Sequence, residues 1–236
     1  FLADRDGEAA EQAASSLRAE GGRARALPLD VTDAVQVEAA VGEVVREAGR
    51  IDYLFNNAGI NVIGDVLKTT LADWNRVVDV NLRGVIHGVC AAYPIMVQQG
   101  FGHIVNTASA QGLGPAPAAT AYTATKFAVV GLSTSLRAEA ASKGVKVTVV
   151  CPGFVDTPIR DNAKYAGMTK SDFERASVLK PMSPERCARA ILKGVERNEA
   201  IVPISLETRL LWWAYRLAPE PLIDLMGYVY RSRFGK

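Results

Sequence analysis

Short apolar runs alternate with longer segments of helical periodicity along most of the chain. Val37, Val41, Val44 and Val45 recur at a spacing that places them on one face of a helix. The run 145–151, in contrast, is short and rich in β-branched residues, which is typical of a strand buried on both faces. Because such strands alternate with helices, the pattern predicts a parallel sheet covered by helices, that is, an α/β fold.

The pattern also indicates where each element begins and ends. Thr32 or Asp33 is suited to begin a helix, because its side chain can accept backbone hydrogen bonds, and Gly49 is suited to end that helix. The predicted strands cover residues 23–29, 53–55, 104–107, 145–151 and 201–202. The predicted helices cover residues 6–20, 33–49, 71–98 with an interruption near Gly84 or Gly88, 121–141 and 184–197.

Length and composition indicate a single domain. With 236 residues, of which 49% are hydrophobic, the chain is long enough for one α/β domain with a well-buried core. No linker, internal repeat or low-complexity stretch divides the sequence, so residues 1–236 are predicted to form one domain. The formal net charge of +2 gives no electrostatic basis for nucleic-acid binding.

The cysteines and histidines lack the spacing of a metal site. Cys90, Cys151 and Cys187 are far apart and odd in number, which favours small core residues in a reducing compartment such as the cytoplasm. His87 and His103 also lack ligand spacing, so we expect no metal. No run approaches the about 20 consecutive apolar residues that a membrane span needs.

Candidate chemistry is concentrated at the start of the helix predicted over residues 121–141. Tyr122 and Lys126 are four residues apart, so their phenol and ammonium share a face of a helix. A free tyrosine ionises near pH 10. An ammonium about 4 Å away is expected to lower that pKa by up to about three units, which would make the phenol a general acid or base near neutral pH. A Tyr–Lys pair at this spacing is common, so neighbouring motifs must support it.

Further motifs flank this pair in a regular order. One predicted strand leads to Ser109, and Asn81 lies in the long helix before that strand. The runs 56–59 (NNAG) and 152–157 (PGFVDT) each follow a predicted strand. On these motifs the chain resembles the short-chain dehydrogenase/reductase family over nearly its whole length. The resemblance implies a doubly wound parallel sheet, the Rossmann fold, and an oxidoreductase that transfers a hydride.

The resemblance implies a catalytic set of four residues. Ser109 would hydrogen-bond the substrate oxygen, and Tyr122 would exchange the proton. Lys126 would lower the tyrosine pKa and hold the nicotinamide ribose, while Asn81 would hold a water that links the lysine to solvent. The structural alternative for Asn81 is a polar residue that kinks the helix, and for Ser109 a simple hydroxyl at a strand end.

The resemblance also implies a nicotinamide cofactor beyond the carboxyl ends of the strands. Asp4 would accept hydrogen bonds from a ribose and repel a 2′-phosphate, which favours NAD, although Arg5 beside it leaves NADP open. Without a ligand, the run 152–157 would be a simple turn at a strand exit. The residues expected to contact the cofactor are Asp4, Asp30, Val31, Asn57, Tyr122, Lys126, Pro152, Gly153, Val155 and Thr157.

One motif of the family has no match in the sequence. The glycine-rich loop TGxxxGxG, which holds the pyrophosphate, is absent, and the residues from Phe1 resemble the end of the family's second strand. We therefore expect about 30 further residues upstream, which would carry a strand, this loop and a helix. Because that strand is central in the order 3-2-1-4-5-6, its loss is expected to separate two strands from the remainder and to expose apolar edges.

Two segments near the C-terminus are expected to shape substrate binding and contacts. In the family the substrate lid corresponds to residues 160–182, where Tyr165, Met168 and Phe173 favour an apolar alcohol or ketone as substrate. The extension 205–236 is rich in aromatic residues and arginines, which is typical of helices that cover a core or contact a membrane surface. The resemblance implies a cytoplasmic homodimer or homotetramer, and peripheral membrane contact through 206–234 stays open.

Two other functions are compatible with the same fold. A catalytically silent dinucleotide-binding or scaffolding member is one, and an epimerase or dehydratase that acts on a nucleotide sugar is the other. The presence of all four residues of the catalytic set argues against a silent member. The short segment after Gly153 leaves no evident domain for a nucleotide sugar, which argues against the epimerase.

Overall fold

Strands and helices alternate along the chain, as the apolar pattern predicts. The computed structural model describes residues 1–176 and 180–234. The strands are β1 (Leu2–Asp4), β2 (Ala26–Pro28), β3 (Tyr53–Asn56), β4 (Val62–Gly64), β5 (Gly102–Thr107), β6 (Val145–Cys151), β7 (Lys164–Ala166) and β8 (Ile201–Pro203). The helices are α1 (Gly7–Ala19), α2 (Ala34–Ala48), α3 (Leu71–Val78), α4 (Gly84–Gln99), α5 (Thr120–Ala140), α6 (Lys170–Ala176), α7 (Pro184–Glu196), α8 (Leu206–Leu217) and α9 (Pro219–Phe234). Residues 177–179 of the expected lid and 235–236 of the extension lie outside the described part.

Local sequence signals fix several helix ends. Asp33 begins α2, because its carboxylate accepts hydrogen bonds from two backbone N–H groups of the first turn. Gly49 ends α2 in the left-handed conformation, with φ of 74°, which glycine adopts without strain. Ser183 caps α7, and Pro184 occupies its first turn, where no backbone donor is needed.

A four-stranded parallel sheet in the order β3-β5-β6-β8 forms the centre of the fold. On one face, Ile104 and Val147 pack against residues of α4 and α5. On the other face, Val105 and Val150 pack against α7. Since helices cover both faces, all four side chains are buried, which explains the unbroken apolar character of β5 and β6. The doubly wound α/β fold predicted from the sequence is therefore confirmed.

The first two strands form a sheet of their own. β1 pairs in parallel with β2, and within the described residues neither strand pairs with the four-stranded sheet. The edge strand β3 exposes Tyr53 and Phe55. The resemblance places the family's first strand between these two sheets.

A π-helical segment, Asp79–Arg83, joins α3 to α4. The interruption expected near Gly84 or Gly88 therefore lies immediately before Gly84. Its cause is a wider helical turn rather than a glycine, and such segments are frequent at functional sites. Gly88 serves instead for close packing, because a Cβ at this position would lie 2.1 Å from Oδ1 of Asn56 in β3.

The continuous helical stretch Leu71–Gln99 is long and apolar enough to cross a membrane, which the sequence analysis did not anticipate. It is the one stretch of this kind in residues 1–176 and 180–234. A third of its most apolar window is buried in this fold: Ala92 and Met96 are fully buried against the central sheet, and the polar side chain of Asn81 is also fully buried.

Three features differ from the predicted elements. The strand predicted over 23–29 is only Ala26–Pro28, because its partner β1 is three residues long. The parallel pair β4–β7 is not indicated by the sequence pattern, since both strands are short and far apart along the chain. The C-terminal extension consists of two helices, α8 and α9, which meet at Ala218.

Candidate active site

Tyr122 and Lys126 lie in the first turns of α5 and share a face of this helix. Nζ of Lys126 lies 5.4 Å from the centroid of the Tyr122 ring. Both side chains are buried. Because α5 packs along β6 and against the turn after β5, the pair lies at the carboxyl end of the central sheet, where ligands bind in folds of this class.

The ammonium of Lys126 is held by the end of β5. Nζ donates a hydrogen bond of 2.8 Å to the carbonyl oxygen of Thr107, the last residue of that strand. The hydroxyl of Thr107 donates to Oδ1 of Asn57, at 3.1 Å. An ammonium has three donors, so this buried group fits the hydroxyls of a ribose as further acceptors. The Lys126 site is thus suited to hold a nicotinamide ribose.

Burial dominates the ionisation of Tyr122. Loss of contact with water raises the pKa of Tyr122 to about 12, hydrogen bonding with Ser109 opposes this shift, and the Cys151 thiol adds to it. The predicted lowering of this pKa by Lys126 is therefore wrong in this structure, because burial raises the pKa and the hydrogen bond with Ser109, not the ammonium, opposes the shift. At neutral pH the phenol is protonated, so it is a proton donor.

Burial shifts the pKa of Lys126 in the opposite direction to the pKa of Tyr122. It lowers the pKa of Lys126 to about 8, and the Cys151 thiol opposes the shift. Burial likewise raises the pKa of Cys151 to about 12, while a hydrogen bond from the Ser109 backbone and the charge of Lys126 lower it. The ammonium therefore releases its proton far more readily than a solvated lysine does.

Ser109 follows β5 in an extended conformation, with φ of −168°. Its Oγ accepts a hydrogen bond of 3.2 Å from the backbone N–H of Gln111, which begins a short 3₁₀ turn over Ala110–Gly112. The N–H of Ala110 donates to the carbonyl oxygen of Pro152, at 2.7 Å. This bond joins the exits of β5 and β6 and brings the predicted cofactor turn next to Ser109.

Asn81 lies in the π-helical segment, and its amide is engaged by the backbone after β3. Its Oδ1 accepts a hydrogen bond of 2.8 Å from the N–H of Ile60, and its Nδ2 donates to the Ile60 carbonyl oxygen at 2.9 Å. Nδ2 also lies 3.4 Å from Oγ1 of Thr125 in α5. Asn81 therefore fixes the chain after the NNAG motif beside the helix that carries Tyr122.

The predicted adenine-side residues lie around the two-stranded sheet. The exposed Asp4 accepts a hydrogen bond from the N–H of Asp6 at 3.0 Å. Asp30 accepts from both the N–H and the hydroxyl of Thr32, which holds its pKa below the usual range. Val31 packs against Gly84, where a Cβ would lie 2.8 Å from its side chain.

The nicotinamide-side turn is held by the C-terminal part of the chain. Next to Pro152, Gly153 lies against Thr208 of α8, since a Cβ at Gly153 would meet Oγ1 of Thr208 at 3.0 Å. Val155 forms an isolated parallel bridge with Met182. Thr157, which follows in a bend, is half-buried. The structure thus places Pro152 and Gly153 next to Ser109, and the bridge between Val155 and Met182 holds the backbone that follows.

Two residues beside this site are not indicated by the sequence analysis as part of it. Thr107 contacts both Lys126 and Asn57, and the thiol of Cys151 influences the ionisation of both Tyr122 and Lys126. Their positions at the last residues of β5 and β6 are the signal that could have identified them, because site residues in this fold class collect at strand ends. Among the described residues, no group of three or more His, Cys, Asp or Glu side chains could hold a metal ion.

Comparison with known proteins decides the family. Residues 1–166 match the family model for short chain dehydrogenases. The chain belongs to the short-chain dehydrogenase family. A short-chain dehydrogenase/reductase from Burkholderia phymatum, solved in complex with NAD, superposes on this chain with a TM-score of 0.83 at 29% sequence identity. The match covers 94% of this chain and 84% of the Burkholderia chain.

Two relatives illustrate how members of this short-chain dehydrogenase family compare with the chain. A protein of Mycobacterium tuberculosis named "Probable oxidoreductase EphD" is 34% identical over 94% of the chain, but the chain spans only 39% of its length. The meso-2,3-butanediol dehydrogenase of Serratia marcescens is 39% identical over 84% of the chain and 77% of the relative.

Proposed function

We propose that this chain is the catalytic domain of an NAD-dependent oxidoreductase that interconverts an apolar secondary alcohol and its ketone. The observation that carries the proposal is the meeting of Ser109, Tyr122 and Lys126 at the carboxyl ends of β5 and β6 in a member of this family. The Serratia relative, whose name gives a secondary diol as substrate, supports an alcohol substrate.

The proposed proton path runs through the buried pair. Tyr122 is protonated at neutral pH, so in ketone reduction its hydroxyl donates a proton to the substrate oxygen while Ser109 donates a second hydrogen bond to that oxygen. A nicotinamide, when bound, supplies the hydride to the carbonyl carbon. Lys126, with its pKa of about 8, is suited to replace the proton that the phenol has given up. Alcohol oxidation reverses each step.

Residues at both sides of the central sheet would hold the cofactor. Lys126 and Asn57 would contact the nicotinamide ribose, the turn with Pro152 and Gly153 would receive the ring, and Asp4 would contact the adenosine ribose. The other proposed contacts are with Asp30, Val31, Val155 and Thr157. Because Asp4 carries an exposed negative charge, it favours NAD over NADP.

The substrate would lie under the segment that follows the cofactor turn. Tyr165 and Phe173 form an aromatic pair with ring centroids 6.4 Å apart, and Arg160 stacks on Phe154 at 4.3 Å. The aromatic pair makes this part of the expected lid apolar, which supports an apolar alcohol or ketone. A cytoplasmic homodimer or homotetramer stays the predicted assembly, and measurement of the molar mass in solution tests it.

The substitution Tyr122→Phe tests the proposed proton transfer. It removes only the hydroxyl, so we expect turnover to fall at least about 100-fold, as for other losses of a general acid. NAD binding, measured by calorimetry, should change less than about threefold, since the ring that packs beside Lys126 is retained. The assay is a spectrophotometric screen of secondary alcohols and ketones with both cofactors.

Tyr53→Phe is the matched control, because Tyr53 is an exposed residue at the amino end of β3, at the opposite end of the sheet from the Ser109 cluster. It should retain turnover within a few-fold of the unchanged protein. Turnover of Tyr122→Phe at the level of this control would refute the role of Tyr122. A protein that binds NAD but turns over no alcohol or ketone would favour the catalytically silent alternative.

Asp4→Asn tests the cofactor preference. Removal of the charge relieves repulsion of a 2′-phosphate, so the ratio of kcat/KM for NADP to that for NAD should rise about tenfold, which corresponds to about 1.4 kcal/mol. Asp6→Asn is the control, since this neighbouring residue caps α1 and its amide oxygen can keep the cap. An unchanged ratio in Asp4→Asn would show that Asp4 does not contact the adenosine ribose.

A further inference from the structure

Helix α8 has an inner face that accounts for its packing on the body of the protein. Leu211 packs on Gly114, Trp212 packs against a core cluster, and Tyr215 meets the ring of Phe127 edge-on at 5.9 Å. With 100° between successive residues, these side chains and the buried Thr208 point to one side of the helix. The fold therefore needs no apolar residue on the opposite side.

The opposite side of α8 nevertheless carries a continuous apolar row. The four residues of this row are spaced four, three and four positions apart. On a helix they fall within an arc of about 60°, and this arc faces away from the inner side. We call this row the outer stripe, and it is formed by Leu206, Leu210, Trp213 and Leu217, which are 68%, 60%, 57% and 77% exposed. Single exposed apolar residues are ordinary, but an aligned row of four marks an interaction surface.

Positive charge borders the outer stripe. Arg209 and Arg216 lie along the same flank of α8, and both are exposed. Arg209 also lines a cavity of about 140 Å³ together with Lys193 and Arg197 of the α7 end, and Glu199 contributes one negative charge there. Glu207 lies on the other flank. The stripe is thus bordered on one side by a predominantly basic region.

We propose that the outer stripe docks on the surface of a lipid bilayer that contains anionic headgroups. The four apolar side chains enter the boundary between headgroups and acyl chains, and the basic flank contacts headgroup phosphates. A tryptophan and leucines on one face with arginines beside them are the composition of helices that lie in this boundary. Within the segment 206–234, for which membrane contact stays open from the sequence, the proposed contact is therefore one face of α8.

The size of the stripe favours a bilayer over a second copy of the chain. A stable protein interface buries roughly 800 Å² on each partner, which is more than a single row of four side chains offers. A bilayer requires no such patch, since one amphipathic helix can lie in its surface with a narrow apolar row buried. The occupant of the stripe is therefore lipid, and self-association is the competing outcome of the test.

The test is co-sedimentation with vesicles of phosphatidylcholine alone or mixed equally with phosphatidylglycerol. The unchanged chain should bind the mixed vesicles, and binding should weaken at high salt. The double variant Leu210→Glu with Trp213→Glu should lower the bound fraction at least tenfold. The control, Leu17→Glu with Val35→Glu, adds the same charge at exposed apolar positions of α1 and α2 and should bind as the unchanged chain does.

A second measurement needs no substitution. Trp213 is more than half exposed, so brominated lipids in the mixed vesicles should quench the tryptophan fluorescence of the unchanged chain. Absence of both quenching and co-sedimentation would overturn the proposal. It would also be overturned if the stripe variant bound as the control does, or if it only converted a dimer to monomers. No cofactor or substrate is involved, so the result is independent of the proposed reaction.

Discussion

At the scale of single residues, the burial of Lys126 makes the stability of the fold depend on pH. Its pKa is about 8 in the folded chain and near 10.5 when solvated, so between these values the unfolded chain binds more protons. The contribution of Lys126 to stability should therefore rise with pH in this window. From pH 7 to pH 9 the free energy of unfolding should increase by about 1 kcal/mol more in the unchanged chain than in Lys126→Met. Urea unfolding at both values measures the difference.

Lys146→Met provides the reference for this measurement, since Lys146 is an exposed residue on β6. Its substitution should leave the pH dependence of the unchanged chain in place. If Lys126→Met also keeps that dependence, the ammonium is better solvated than its burial implies. The raised pKa values of Cys151 and Tyr122 act in the opposite sense, from about pH 9 and pH 10 respectively, because the folded chain then retains protons that the unfolded chain has lost.

The ionisation of these residues also shows what the sequence can and cannot predict. The spacing of four predicts correctly that Tyr122 and Lys126 share a face, because helix geometry alone decides it. It does not predict that the pKa of the phenol rises. That value depends on how completely the side chains packed around Tyr122, such as Val62 and Val77, exclude water, and tertiary packing sets this.

At the scale of elements, Gly88 determines how closely α4 approaches the sheet. A methyl group there would lie 2.1 Å from Oδ1 of Asn56, whose Nδ2 donates to Asn106 at 2.8 Å. Gly88→Ala must displace the Asn56 side chain and disturb this partly buried hydrogen bond. We expect it to lower the free energy of unfolding by about 2 kcal/mol, as measured by denaturant unfolding.

Gly131→Ala is the matched control within α5. A Cβ at this exposed helical position meets nothing within 4 Å, so alanine should raise the stability by up to about 1 kcal/mol through its higher helix propensity. Equal effects of the two substitutions would show that α4 can move away from β3 without cost.

Elements with strong local signals are predicted from the sequence, and those that depend on distant partners are not. The strand β6 has the bounds predicted for it, Val145–Cys151, since its β-branched run is unambiguous. The pair β4–β7 has no such signal, because each strand is three residues long and exists only through its partner. An interruption of the long helix is predicted near Gly84, but its π-helical form is not, since it accompanies hydrogen bonds of Asn81 with the backbone of Ile60, which no local pattern reveals.

At the scale of the whole molecule, the separate two-stranded sheet predicts uneven stability. β1, α1 and β2 pack mainly on one another, whereas β5 and β6 lie between helices on both faces. Regions with few buried contacts open locally before the core does. We expect amides such as that of Leu2, which bonds the Arg25 carbonyl, to exchange at least about 100-fold faster than that of Val149 in β6.

Hydrogen–deuterium exchange followed by mass spectrometry measures this difference. The amides of α5, which packs on the central sheet, and of β8, which is a strand of that sheet, serve as the internal reference for the slowly exchanging core. Equal protection of residues 1–28 and of β6 would contradict the prediction. It would show that both sheets open together as one cooperative unit, as expected for the single domain predicted from the sequence.

Helix α8, which bears the outer stripe, also packs against the loops that follow β5 and β6. Gly114, in the loop beyond Ser109, and Gly153, in the cofactor turn, both lie directly against side chains of α8, and neither has room for a larger residue. Only one helix diameter, about 10 Å, therefore separates the outer stripe from these two glycines beside the proposed site. If α8 docks as proposed, a shift of this helix on the bilayer acts directly on the exits of β5 and β6, where the substrate is proposed to bind.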